Sequence, residues 1–134
     1  MGDRIKLLLV DDELQFLNAL RQRLEFRDFE VTPVSSGSQA LEALKQGEYE
    51  VALIDLKMPE MDGEELLYHL KNQDPFLEVV ILTAHGSIDS AIRSTKQGAF
   101  SYLYKPCPMD TLLHTLKEAY LNRMKKIAQS KGNY

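Results

Sequence analysis

The chain has 134 residues, 44% of them hydrophobic and 27% charged, with a formal net charge of -4. That length fits one domain with a single core, and the acidic balance argues against direct nucleic-acid binding, which needs a basic face. A lone cysteine, Cys107, excludes an internal disulfide and fits a reducing compartment, and no apolar stretch reaches membrane-spanning length. The first six residues, Met1 to Lys6, do not read as a signal peptide. The expectation is a cytoplasmic chain with no membrane association.

Strand and helix signals then alternate five times along the sequence. Ile5–Val10 is a near-continuous apolar run, the pattern of a parallel strand covered on both faces. Leu14, Leu17, Leu20 and Leu24 follow at helical spacing. Asp12-Glu13-Leu14-Gln15 has the form of a helix cap, although Asp12 has a second use below. Phe29–Val34 reads as the second strand, and Ser36-Gly37-Ser38-Gln39 opens a helix with a hydroxyl cap and a glutamine three residues on. Gly47 falls just past that helix, where a left-handed residue is wanted.

Val51–Asp55 is the third strand. Pro59 and Pro75 bracket a third helix that starts at Asp62-Gly63-Glu64-Glu65. Val79–Thr83 is the fourth strand, Gly98 closes the helix after it, and Phe100–Tyr104 is the fifth. Leu113, Leu116, Tyr120 and Met124 mark the apolar stripe of the last helix. From Asn122 onward the chain turns basic and polar, which reads as an extension of that helix that frays at its end.

This βα alternation predicts an α/β fold, a five-stranded parallel sheet with helices on both faces. The expected topology is the flavodoxin-like, doubly wound (βα)5 order 2-1-3-4-5, whose switch point lies between strands 1 and 3. Asp11 and Asp12 follow strand 1, Asp55 ends strand 3, Thr83 ends strand 4 and Lys105 follows strand 5. All five therefore belong at the carboxyl edge of the sheet, where such folds bind ligands.

Three converging carboxylates repel one another unless a cation joins them. A hard ion such as Mg²⁺ fits, with Asp12 and Asp55 as direct ligands and Asp11 direct or through water; the main-chain carbonyl of Lys57 could complete the shell. Asp55 can also serve as a nucleophile toward phosphorus. Phosphoryl transfer then requires positioning and charge compensation, which Lys105 and the Thr83 hydroxyl can supply. Singly, each residue has a plainer use as a cap, a sheet residue or a solvated turn. Jointly, at matched strand ends, the plain uses lose.

The segments Leu9-Val10-Asp11-Asp12-Glu13, Ile54-Asp55-Leu56-Lys57-Met58-Pro59, Leu82-Thr83-Ala84-His85-Gly86 and Tyr102-Leu103-Tyr104-Lys105-Pro106 carry a family resemblance. So placed, they resemble the receiver domain of bacterial two-component response regulators, most closely receivers of nitrogen-regulation-type transcription activators. The resemblance covers about Lys6 to Tyr120. It implies that Asp55 accepts phosphate from a sensor histidine kinase or phosphotransfer protein, with Mg²⁺ on Asp11 and Asp12. It further implies that Thr83 and Lys105 grip the phosphoryl group, that Lys105-Pro106 is cis, and that Tyr102 is the aromatic switch partner of Thr83. Lys57 and His85, two residues beyond Asp55 and Thr83, would tune the phosphoryl lifetime. Cys107 departs from the aromatic residue common after Lys-Pro, which implies altered packing at the start of the last helix.

On this reading residues 1–121 form the receiver and residues 122–134 extend its last helix. The face of helix 4, strand 5 and helix 5 would carry phosphorylation-dependent association, homodimerisation included. The chain reads as either a stand-alone regulator or the amino-terminal part of a transcription regulator. It reads as a signalling domain with self-phosphorylation and autodephosphorylation chemistry, not as an enzyme. Two rivals are weaker. An Mg²⁺-dependent phosphatase with an aspartate nucleophile usually has a second acid two positions on, where Lys57 stands. A flavin mononucleotide binder would meet repulsion between its phosphate and Asp11-Asp12-Glu13. His69, His85 and His114 are too scattered for a zinc site.

Overall fold

The computed structural model describes residues 4–132. Strands and helices alternate as β1 (Ile5–Val10), α1 (Leu14–Glu25), β2 (Phe29–Val34), α2 (Gly37–Gln46), β3 (Val51–Ile54), α3 (Gly63–Gln73), β4 (Glu78–Thr83), α4 (Ile88–Lys96), β5 (Ser101–Tyr104) and α5 (Met109–Gly132). The strands form one parallel sheet in the order β2-β1-β3-β4-β5. This is the flavodoxin-like (βα)5 topology that the sequence predicts.

The pleat sends alternate strand residues to opposite faces. Leu7, Leu9, Leu53, Val80 and Leu82 pack with Leu17, Leu20 and Leu24 of α1 and Leu112, Leu116 and Ala119 of α5. Leu8, Val10, Ala52, Ile54, Val79 and Ile81 pack on the other face with Ala40 of α2 and Leu66, Leu67 and Leu70 of α3. The three central strands are covered on both sides, which is why β1, β3 and β4 read as continuous apolar runs; β2 and β5 are edges and only partly covered.

Helix starts follow their caps. Ser36 Oγ accepts from the Gln39 amide at 3.2 Å, and Gln39 Oε1 accepts from the Ser35 amide at 2.8 Å. Asp62 Oδ1 accepts from the Glu65 amide at 2.9 Å. At α1 the cap position is Glu13, with no side-chain cap bond. Asp12 is thus free of capping. Asp11 Oδ1 instead accepts from the Glu13 amide at 2.9 Å.

Gly98 ends its helix with φ +103°, the left-handed conformation expected there. Gly47 does not: its φ of -163° and ψ of 170° are extended. Its amide still satisfies the Ala43 carbonyl at 3.1 Å, so that turn needs no left-handed residue. Two stripe positions also differ. Leu14, at the start of α1, is 59% exposed, and Met124 is 43% exposed. Beyond Tyr120 the last helix leaves the apolar core, and Asn122 and Lys126 reach Glu78 at the amino end of β4. There the inward position belongs to Arg123, paired with Asp74 at 3.5 Å.

The segment from Asn122 to Gly132 is continuous helix; the expected fraying falls on residues 133–134, outside the described residues. Among the described residues, no helix is long and apolar enough to cross a membrane.

Candidate functional site

The sheet ladder continues one residue past the strands and so gathers the site. The Asp11 amide donates to the Val34 carbonyl at 3.2 Å, the Asp55 amide to Val10 at 3.0 Å, and the Lys105 amide to Thr83 at 2.8 Å. Neighbouring strand ends thereby present Asp11, Asp55, Thr83 and Lys105 side by side. Carboxylate oxygens of Asp11, Asp12 and Asp55 all lie within 4.8 Å of one another, Asp11 and Asp55 buried and Asp12 exposed. Such a set suits a hard divalent cation: oxygen ligands only, one of them open to water.

Lys105 is the cationic partner. Its ammonium donates to Asp11 Oδ2 at 2.8 Å and lies 3.8 Å from Asp55 Oδ2 and 3.6 Å from Glu13 Oε1. Burial works to lower its pKa. The hydrogen bond to Asp11 and the nearby carboxylates outweigh that effect and hold it above the usual ammonium range. The Asp55 pKa is raised too, here against ionisation: burial, with the Asp11 charge, lifts it above the ordinary carboxylate value despite the lowering effects of Thr83, Lys105 and the Leu56 amide. That amide donates to Asp55 Oδ1 at 2.8 Å.

The sign of this shift makes a prediction for the metal-free protein. Between the ordinary carboxylate pKa and its raised folded value, the folded state binds the extra proton. Stability therefore falls as pH rises through the folded pKa, and the ionised carboxylate is a cost at pH 7. Asp55→Asn removes it and is expected to raise the thermal midpoint by about 3–5 °C without divalent ions. A midpoint no higher than the parent's in a thermal scan with chelator would contradict this.

Thr83 is fully buried, and its Oγ1 accepts from the His85 amide at 3.0 Å. Lys57 and His85 are exposed at the rim. Lys105-Pro106 is a cis peptide. Tyr102 is half-buried: its hydroxyl accepts from the Ser87 amide at 3.4 Å, and its ring meets Tyr104 edge-on with centroids 5.4 Å apart. Cys107 packs beside the α1/α5 core, and burial raises its thiol pKa. His69, His85 and His114 join no metal-ligand group among the described residues.

Three supporting features escape the sequence reading. Gly63 lies against the Asp55 and Leu56 main chain, so that an added Cβ would stand 2.4 Å from the Asp55 carbonyl oxygen. Phe16 puts its ring 3.9 Å from the Lys105 ammonium. Glu64 on α3 takes a two-point contact from Arg93 on α4, at 2.8 and 2.9 Å, plus the Ser90 hydroxyl at 3.1 Å. Only the glycine left a trace in the sequence, as the residue after a helix cap. The other two are contacts between distant elements, which side-chain spacing does not encode.

An acidic cluster at the switch point of a (βα)5 sheet, with a lysine and a threonine on adjoining strand ends, defines a phosphorelay signalling domain. The family described as "Response regulator receiver domain" matches residues 7–117. The chain belongs to that family. It is 37% identical over 118 residues to the transcriptional regulatory protein ZraR of Klebsiella oxytoca, covering 88% of this chain and 27% of that protein. It is 40% identical over 113 residues to the transcriptional regulatory protein GlrR of Escherichia coli K12, covering 84% and 26%.

Among solved structures, it superposes on a response regulator receiver domain protein from Clostridium thermocellum with TM-score 0.85. Identity there is 35%, over 92% of this chain and 98% of that one. It superposes on the beryllofluoride-activated NtrC4 receiver domain dimer with TM-score 0.83 at 30% identity, over 88% and 98%. The chain is thus a receiver closely related to those of the ZraR and NtrC type. It spans about a quarter of the length of the curated relatives named above.

Proposed function

We propose that Asp55 is the phosphoacceptor, taking its phosphoryl group from a phosphohistidine of a sensor kinase or phosphotransfer protein. The observation that carries this is the meeting of Asp11, Asp12 and Asp55 within 4.8 Å, with Lys105 reaching two of them. An Asp55 carboxylate oxygen forms the new bond to phosphorus while the phosphorus–nitrogen bond breaks. The electron pair and a proton remain with the leaving imidazole. Lys105 and the Thr83 hydroxyl then hold oxygens of the transferred group. Asp11, Asp12, Asp55 and the Lys57 carbonyl would hold Mg²⁺, which supplies charge neutralisation at the phosphoryl oxygens.

Drawing Thr83 toward the phosphoryl group leaves space beside it, and the half-buried Tyr102 turns inward to fill that space. This biases a two-state element on the α4, β5 and α5 face, where a homodimer or an output module would sense it. The relatives are transcriptional regulatory proteins much longer than this chain, which supports control of transcription through a further domain. On this reading residues 1–121 are the receiver and the segment 122–134 is a linker, helical as far as Gly132. A stand-alone regulator is the alternative.

The direct test is incubation with a small acyl phosphate and Mg²⁺, followed by intact mass. A single phosphoryl adduct is expected in the parent, absent from Asp55→Asn and from metal-free samples. An adduct of equal yield in Asp55→Asn would move the phosphoacceptor elsewhere. Lys57 and His85 stand where an attacking water must pass. Replacing either by alanine is expected to change the autodephosphorylation rate by about threefold or more while phosphorylation still proceeds. Decay curves that overlay the parent's would remove both from the lifetime role.

A further inference from the structure

The Lys105 ammonium has competing neighbours. Asp11 and Asp55 lie inside the site, while Glu13, at 3.6 Å, has a side chain 71% exposed to water. A lysine head is compact and strongly hydrated on a flexible stem, so the solvent-facing carboxylate would draw it outward. A fourth neighbour is uncharged: the face of the Phe16 ring, with its centroid 3.9 Å from Nζ. Phe16 is the third residue of α1, half-buried and packed against the α1/α5 core. Its ring is fixed by the core on one side and offers a π face to the ammonium on the other.

We infer that Phe16 is a positioning residue, which keeps the Lys105 ammonium over the Asp11–Asp55 pair and so where the phosphoryl oxygens arrive. A leucine would fill the same place in the core, but it has no quadrupole to attract a cation. The attraction is strongest where water is scarce, as around this lysine, whose side chain is 11% exposed. No part in the reaction itself is assigned to the ring. It acts by limiting where the charge can go.

The inference rests on the phosphoacceptor reading of Asp55, and the test separates the two. Mg²⁺ alone, and then beryllofluoride at saturating Mg²⁺, are titrated calorimetrically into the parent, Phe16→Leu, Phe16→Met, Phe16→Tyr and Asp55→Asn. Phe16→Leu and Phe16→Met are expected to bind beryllofluoride about three- to tenfold more weakly, the range of a partly desolvated cation–π contact. Their Mg²⁺ affinity stays at or above the parent's, because a loosened ammonium competes less for the carboxylates. Phe16→Tyr keeps the parental beryllofluoride affinity. Parental affinity in both aliphatic variants overturns the inference. So does equal weakening in Phe16→Tyr, or a parallel loss of Mg²⁺ and beryllofluoride binding, which would mark a packing role alone. A parent that binds beryllofluoride no better than Asp55→Asn overturns the phosphoacceptor reading, and the inference with it.

Discussion

Gly63→Ala is expected to cost the fold about 2–3 kcal/mol and to slow phosphorylation of Asp55 about tenfold or more. The cause is space. Gly63 has no left-handed φ, but a Cβ there would stand 2.4 Å from the Asp55 carbonyl oxygen and 2.8 Å from the Leu56 Cα. Both are main-chain atoms and cannot rotate away. The Gly63 amide also donates to the Leu56 carbonyl at 2.7 Å, which ties the start of α3 to the loop that follows Asp55. Relief of the clash must move that loop, and with it the Asp55 carboxylate relative to Lys105.

Gly47→Ala is the matching control, since nothing lies within 4 Å of its would-be Cβ, and it should be close to neutral. Urea unfolding and the rate of adduct formation from a small acyl phosphate measure the two effects. A Gly63→Ala variant as stable and as fast as Gly47→Ala would show that the loop adapts freely.

Much of this was legible in the sequence because two periodicities and the strand ends carried it. Continuous apolar runs marked β1, β3 and β4, which are covered on both faces. Ser36 and Asp62 announced their helices through cap chemistry that operates within four residues. The site was legible for the same reason: parallel topology obliges residues at successive strand ends to meet, so order alone brings Asp55 to Asp11. What spacing could not show is what depends on a particular approach of two distant surfaces. Leu14 continues the α1 stripe on paper, yet it stands at the helix's exposed start. Met124 continues the α5 stripe, yet by that turn the helix has passed the apolar face and Arg123 points inward instead. Phe16 above Lys105 belongs to the same class, because the contact joins α1 to the end of β5.

Glu78→Ala is expected to cost about 3 kcal/mol, the range seen when one member of a buried charge pair is removed. Glu78 is almost fully buried at the amino end of β4, at the edge of the sheet opposite the aspartate cluster. It lies 3.9 Å from the Lys71 ammonium and 3.3 Å from that of Lys126, and it accepts a hydrogen bond from the Asn122 amide group. Burial holds the Lys71 pKa below the usual ammonium value, and Glu78 is the largest influence raising it. Without that carboxylate, Lys71 keeps the Pro75 and Leu77 carbonyls, at 2.8 and 2.9 Å, and the weaker influence of the Asp74 charge.

Two of the carboxylate's partners, Asn122 and Lys126, lie on the part of α5 that has left the apolar core. The loss should therefore appear first as faster amide exchange from about residue 120 onward, with β1 and β3 still protected. Replacing Lys71 by methionine in the same chain removes the stranded charge while keeping its volume. The double variant should then recover part of the stability, since a charge pair exchanged for apolar groups is often neutral. Costs that simply add in the two single variants and the pair would mean that Glu78 and Lys71 do not act together. Phosphorylation should survive in all three, because the aspartate cluster lies at the other end of the strands.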